Sequence, residues 1–129
     1  MSATETTGLV EALRVFARER EWETFHRSKN LAMALSVEVA EIVELFQWLT
    51  LDESDQLNRR QLAALEEEIG DVMIYLTMLA GRHQLDPLAA AWRKLAINRG
   101  KYPADLVRGK ALKAAEYQTC NSTIQRTNE

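Results

Sequence analysis

Apolar residues recur along most of this chain at spacings of three and four, the period of helices buried on one face. Four helices are predicted. In the first, over 8–20, Leu9, Leu13, Phe16 and Ala17 form the stripe and Thr6 or Thr7 offers an N-cap. The second, over 28–49, carries Leu31, Ala34, Leu35, Ile42, Leu45, Phe46 and Leu49, and Val37 and Val39 widen its apolar surface. The third, over 59–83, carries Leu62, Leu65, Ile69, Val72, Leu76 and Leu79. Asp86-Pro87 is an N-cap followed by a first-turn proline, opening a fourth helix over 88–99 that Gly100 can end and that places Trp92 in the core. A polar-aromatic loop, EWETFHRSKN, precedes the second helix, and the acidic segment TLDESDQLN precedes the third. After Pro103 the helical pattern weakens, and from Thr119 the chain reads as a disordered tail. The fold class expected is all-α: a four-helix bundle whose middle helices, apolar on more than one side, bury further surface against another copy of the chain.

Composition narrows the setting. At 129 residues the chain has one domain's length, and 47% hydrophobic with 27% charged residues describes a folded globule, not a disordered segment. The single cysteine, Cys120, excludes an intrachain disulfide and fits a reducing cytoplasm. No run of 18 apolar residues predicts a membrane span, and the first residues lack the pattern of a secretory signal. A net charge of −3 argues against a nucleic-acid polymer as partner.

The distribution of charge says more than its total. No Lys or Arg occurs between Asn30 and Asn58, nor between Gln61 and Gly81. Within the two middle helices these stretches hold Glu38, Glu41, Glu44, Glu66, Glu67, Glu68 and Asp71, so the remaining 12 acids face all 16 basic residues. Exposed helical glutamates commonly sit three or four residues from a cation, whereas Glu38, Glu41, Glu68 and Asp71 have only apolar or acidic neighbours at that spacing. Glu38-x-x-Glu41 and Glu68-x-x-Asp71 each project from one helical face, and two such pairs on antiparallel neighbours would form a four-carboxylate basket. A divalent cation resolves that repulsion, and Mg²⁺ takes oxygen ligands of this kind. Di-iron bundles use Glu-x-x-His, which is absent, so redox iron is disfavoured. A solvated acidic face is the competing reading of either pair alone.

The ordered segments EVAEIVELFQW, EEEIGDVMIYL and INRGKYP, preceded by FH and KN, resemble the MazG-like all-α nucleoside triphosphate pyrophosphohydrolases, and within them the dCTP pyrophosphatase branch. The likeness runs from about Leu9 to Tyr102, which suggests a domain over 1–103 with an extension over 104–129. It implies Mg²⁺-dependent cleavage between the α and β phosphates, with Mn²⁺ as a substitute metal, to a monophosphate and pyrophosphate. It also implies Glu38, Glu41, Glu68 and Asp71 as metal ligands and a homotetramer or tight dimer. The proton acceptor would be Glu41 or Glu38, with Glu44 a third candidate.

Lys29, Arg99 and Lys101 match basic positions of the family and would hold phosphates, while Asn98 and Tyr102 would donate hydrogen bonds to phosphate or sugar. Trp22, Phe25, His26, Trp48 and Tyr75 are candidates for the base and sugar, with bundle packing the competing role for the two tryptophans. Lys110 and Lys113 would either reach a neighbouring site or remain in solvent. Two positions depart from relatives: Val37 stands where many members have a further glutamate, and Leu13 where mammalian dCTP enzymes have a histidine. The resulting expectation is a cytoplasmic enzyme that clears dCTP or 5-modified dCTP from the nucleotide pool. The same chemistry on dUTP, phosphoribosyl-ATP or a broad set of triphosphates is an alternative, as is a non-catalytic helical oligomerisation or regulatory module.

Overall fold

Six helices account for the regular structure of the computed structural model, which describes residues 3–113 and 115–116. They are α1 (Ala3–Glu19), α2 (Ser28–Phe46), α3 (Leu51–Ser54), α4 (Arg59–Arg82), α5 (Pro87–Lys101) and α6 (Ala104–Val107). The four long helices stand where the apolar periodicity placed them, and no strand occurs among the described residues. Cys120 and the tail from Thr119 lie outside the described residues. No helix among those described is long and apolar enough to cross a membrane.

The chain divides into two compact units, one through Leu88 and one from Ala89 onward. In the first, α2 packs along α4 and α1 packs against α4. A hydrogen bond of 2.9 Å between Ser28 Oγ and His83 Nε2 ties the start of α2 to the end of α4, so the pair runs antiparallel. The ends are set locally. Asn58 and Gln61 form a reciprocal capping box at the start of α4, and Thr50 Oγ1 accepts from the Glu53 amide at α3. Asp86 Oδ1 accepts from the Leu88 amide at 2.9 Å, the predicted cap of the fourth helix. α1 begins at Ala3, so Thr6 and Thr7 lie inside the helix and not at its start, where they were expected.

α1 and α4 finish without glycine. Glu21 and Gln84 adopt φ of 54° and 52°, and the amides of Trp22 and Leu85 reach back to the carbonyls of Ala17 and Ala80 at 2.9 Å. This is the Schellman arrangement, with a left-handed non-glycine residue at the turn.

The inward stripe of α2 is the predicted one as far as the helix runs: Leu31 is buried, and Ala34, Leu35, Ile42, Leu45 and Phe46 are half-buried; α2 ends at Phe46, not Leu49, and Leu49 is half-buried in the turn beyond it. On α4, Leu65, Val72, Leu76 and Leu79 face inward, whereas Leu62 and Ile69 lie at the outer margin of the stripe and are exposed. Among the described residues only Ala17, Leu31 and Thr77 are fully buried.

The second unit holds most of α5, together with α6. Gly100 does not end α5, which continues to Lys101. Trp92 is not core as expected but 64% exposed: α6, the other named helix of this unit, has only four residues and offers little surface to cover it.

Candidate active site

The helical stripe that buries Leu31 on α2 continues through positions 34, 38, 41 and 45, so Glu38 and Glu41 occupy inward-facing positions among leucines and isoleucine. Glu68 does the same on α4, between Leu65 and Val72. Antiparallel packing brings the three together: one carboxylate oxygen from each of Glu38, Glu41 and Glu68 lies within 4.8 Å of the other two. All three residues are half-buried, whereas Glu44, Glu66, Glu67 and Asp71 are exposed. No Lys or Arg pairs with the cluster among the described residues; the ion pairs there join Arg14 to Glu11, Arg18 to Glu23, Arg20 to Glu19 and Arg108 to Asp105.

Two of these carboxyls, Glu68 and Glu38, bind their protons more tightly than ordinary glutamates. A hydrogen bond with Glu41, followed by desolvation and the charges of Glu41, Glu38 and Asp71, pushes Glu68 up to about 7. Burial, then a hydrogen bond and the charge of Glu41, also raises Glu38, with Asp71 adding a smaller contribution. Asp71 thus acts electrostatically on both glutamates, although it does not belong to the close group of three. Glu68 Oε2 is buried without a hydrogen-bond partner, an acceptor lacking the positive charge or donor that would satisfy it. Hard oxygen donors, several negative charges and an orphaned oxygen together fit a divalent cation such as Mg²⁺.

A second feature lies toward the end of the first unit where α2 begins and α4 finishes. A cavity of about 580 Å³ opens between α1, α2 and α4, walled by Val10, Leu13, Ala17, Leu31 and Met78. Two buried polar atoms without partners, His26 Nδ1 and Thr77 Oγ1, belong to residues that line it. A hydroxyl within a helix ordinarily bonds the carbonyl four residues back, and an orphan of this kind costs about 1–3 kcal/mol. Beside the cavity Trp22 meets Phe16 edge-on at 5.8 Å and His26 at 6.1 Å, and the Arg20 guanidinium lies 3.7 Å over the Phe16 ring.

The other predicted residues are dispersed. Trp48 follows α2 and is 87% exposed, Phe25 is 66% exposed, Lys29 lies exposed in the first turn of α2, and Tyr75 is half-buried on α4. Asn98, Arg99, Lys101 and Tyr102 belong to the second unit, at the end of α5. Arg99 and Lys101 are exposed there, where cations complement the carbonyl end of a helix, and Asn98 accepts from the Tyr102 amide at 2.8 Å. Sequence reasoning missed Thr77 and the cavity. The available signal was a threonine amid apolar residues, at no helix end and with no turn to serve.

The MazG-like family model matches residues 33–115, a span that includes Glu38, Glu41, Glu68 and Asp71. The chain belongs to the MazG-like family. Its MazG-like helices superpose on a pyrophosphatase from Archaeoglobus fulgidus with a TM-score of 0.73 at 39% identity, over 80% of this chain and 96% of the other. The human dCTP pyrophosphatase 1 is 48% identical over 103 residues, 78% of this chain and 61% of that protein. The Bos taurus protein of the same name is 46% identical over 100 residues, 76% of this chain and 59% of that one. This MazG-like chain therefore spans about three fifths of the length of the curated relatives it matches.

Proposed function

We propose that the chain hydrolyses a deoxynucleoside triphosphate, with dCTP or a 5-modified dCTP favoured, to the monophosphate and pyrophosphate. The observation that carries this reading is the convergence of Glu38, Glu41 and Glu68 at inward positions with no counter-cation. The family and the two dCTP pyrophosphatases support the choice of reaction and base. Glu38, Glu41 and Glu68, with Asp71 one turn further along α4, would hold Mg²⁺. The chemistry supplied by Mg²⁺ when bound is polarisation of phosphoryl oxygens and easier ionisation of water.

The chain's own residues would do the rest. Water adds across the bridge between the α and β phosphates, the P–O bond there breaks, and pyrophosphate leaves. Glu41 is the favoured acceptor of the water's proton because it hydrogen-bonds to both Glu38 and Glu68; Glu38 is the second candidate. Lys29, Arg99 and Lys101 would hold the outer phosphates, and Asn98 and Tyr102 the sugar or phosphate. Trp22, His26, Trp48 and Tyr75 would contact the nucleoside. A domain over 1–103 with an extension over 104–129, working in the cytoplasm to clean the nucleotide pool, completes the proposal.

Assembly into a homotetramer, or at least a dimer, also belongs to it. Met33 and Val37 on α2 and Leu62, Ile69 and Met73 on α4 recur at helical spacing and are 38–59% exposed. Apolar stripes of this size are covered in stable soluble proteins, and a four-helix bundle completed between copies would cover them. The test is a panel of canonical and modified deoxynucleoside triphosphates with Mg²⁺, read by product identity. dCMP and pyrophosphate from dCTP are expected. Release of single phosphate, or full activity in EDTA, would overturn the reaction, and preference for another triphosphate would overturn the base.

A further inference from the structure

Where α2 begins and α4 finishes, a second cavity of about 420 Å³ is lined by Arg27, Ser28, Lys29, Asn30 and Arg82. The hydrogen bond between Ser28 and His83 holds its two sides together, so residues far apart in the chain line one space. The lining includes no carboxylate, no aromatic ring and no apolar residue, so a nucleobase would find nothing there to stack on.

Charge in this cavity is unbalanced in a way the rest of the unit is not. Acids outnumber basic residues two to one over residues 1–88, and Arg14, Arg18 and Arg20 each pair with a glutamate. Arg27, Lys29 and Arg82 take part in none of the ion pairs among the described residues. Like charges gathered in one cavity repel one another, and an anion of several charges removes that repulsion. The argument is the one that gives the glutamates a cation, with the sign reversed. Guanidinium forks bind phosphoryl oxygens two at a time, and an ammonium adds a point charge. The first-turn amides of α2 add neutral donors, since no side chain caps them and no acid shares that turn.

The cavity lies apart from the carboxylates. Arg82 follows Glu68 by 14 residues on α4, about 21 Å of helical rise, farther than a triphosphate extends. Lys29 precedes Glu38 by nine residues on α2, about 13 Å, and is the one cation of the three that the proposed reaction also uses.

We propose that this cavity is a second anion site, separate from the glutamate cluster, and that it takes a multiply charged phosphoryl anion, of which pyrophosphate is the simplest. Bound there, the anion joins the start of α2 to Arg82 of α4 and tightens the antiparallel seam that positions Glu38, Glu41 and Glu68. The site needs no turnover, so it stands or falls separately from the reaction.

The test measures pyrophosphate binding by calorimetry and thermal unfolding, with EDTA present so that no metal carries the anion to the glutamates. Wild type is compared with Arg82→Gln, Arg27→Gln and Glu68→Gln. In wild type, pyrophosphate should raise the melting temperature above that in KCl of matched ionic strength, as a ligand of the folded state does. Affinity should fall about tenfold in Arg82→Gln and in Arg27→Gln, and hold in Glu68→Gln. Both arginines are exposed, so without the anion these variants should melt with wild type, which separates lost binding from lost folding. Inorganic phosphate, with fewer charges, should bind more weakly than pyrophosphate. No stabilisation beyond KCl, unchanged affinity in both arginine variants, or loss of binding in Glu68→Gln alone would overturn the site. Phosphate binding as tightly as pyrophosphate would overturn the choice of anion.

Discussion

Two stretches of the same helix pair obey one periodicity and have opposite chemistry. Near the start of α2 the inward position is Leu31, almost fully buried; seven residues on, the same stripe presents Glu38 and then Glu41. The first stretch gains free energy from burial, and the second pays for it in a raised Glu38 carboxyl. An inward carboxylate without a counter-charge destabilises the free protein, so its presence there indicates a ligand more strongly than the same residue on the surface. Glu66 and Glu67, exposed beside Glu68, show the contrast within a single turn.

The sharpest way to break this comparison is to neutralise the acidic stretch. Glu68→Gln or Glu38→Gln should lower Mg²⁺-dependent pyrophosphate release by at least about 10²–10³-fold, as removal of a group stabilising transition-state charge does elsewhere. The metal-free protein should melt no earlier than wild type, since a like-charge contact has gone. A variant that melts early and still turns over would make the acids structural.

At the apolar end the effect should be on stability instead. Leu31→Ala should cost about 2–5 kcal/mol in denaturant unfolding, the range for deleting a buried leucine side chain.

The pH dependence separates the two stretches again. Glu68, at about 7 in the folded chain against 4.5 for an ordinary glutamate, binds its proton more tightly folded than unfolded. Its contribution to stability is full below pH 4.5 and is lost as pH rises through about 7. The metal-free protein should therefore lose melting temperature between pH 5 and 8 through this group, and Mg²⁺ should oppose that loss by binding the deprotonated form. A metal-free melting temperature that rises steadily over that interval would contradict the raised carboxyl.

The smallest effect belongs to the helix end beside Trp22. Glu21→Gly should stabilise the chain by about 0.5–1 kcal/mol in thermal unfolding, relief of the left-handed backbone being partly offset by a freer unfolded chain. Catalysis should hardly change.

The four long helices were legible in the sequence because apolar spacing and capping are local. So was the chemistry of the acids: two basic-free stretches bearing carboxylates three residues apart already implied a cation. Helix ends were less legible. Non-glycine residues end α1 and α4, and Gly100 proved internal, because a left-handed turn can be imposed by hydrogen bonds back into the helix as well as chosen by residue type. Trp92 misled because its size argues for burial while its unit offers little to bury it.

What the sequence determined by itself, then, was a set of amphipathic helices with seven acids unneutralised along two of them. Only the tertiary structure decided that Glu38, Glu41 and Glu68 meet while Glu44, Glu66 and Glu67 face away, and that Thr77 lines a cavity beside His26. The physical reason is that spacing fixes which residues share a face of one helix. Which faces oppose one another depends on the rotation and register of packed helices, set here by the antiparallel seam from Ser28 and His83 to the three glutamates.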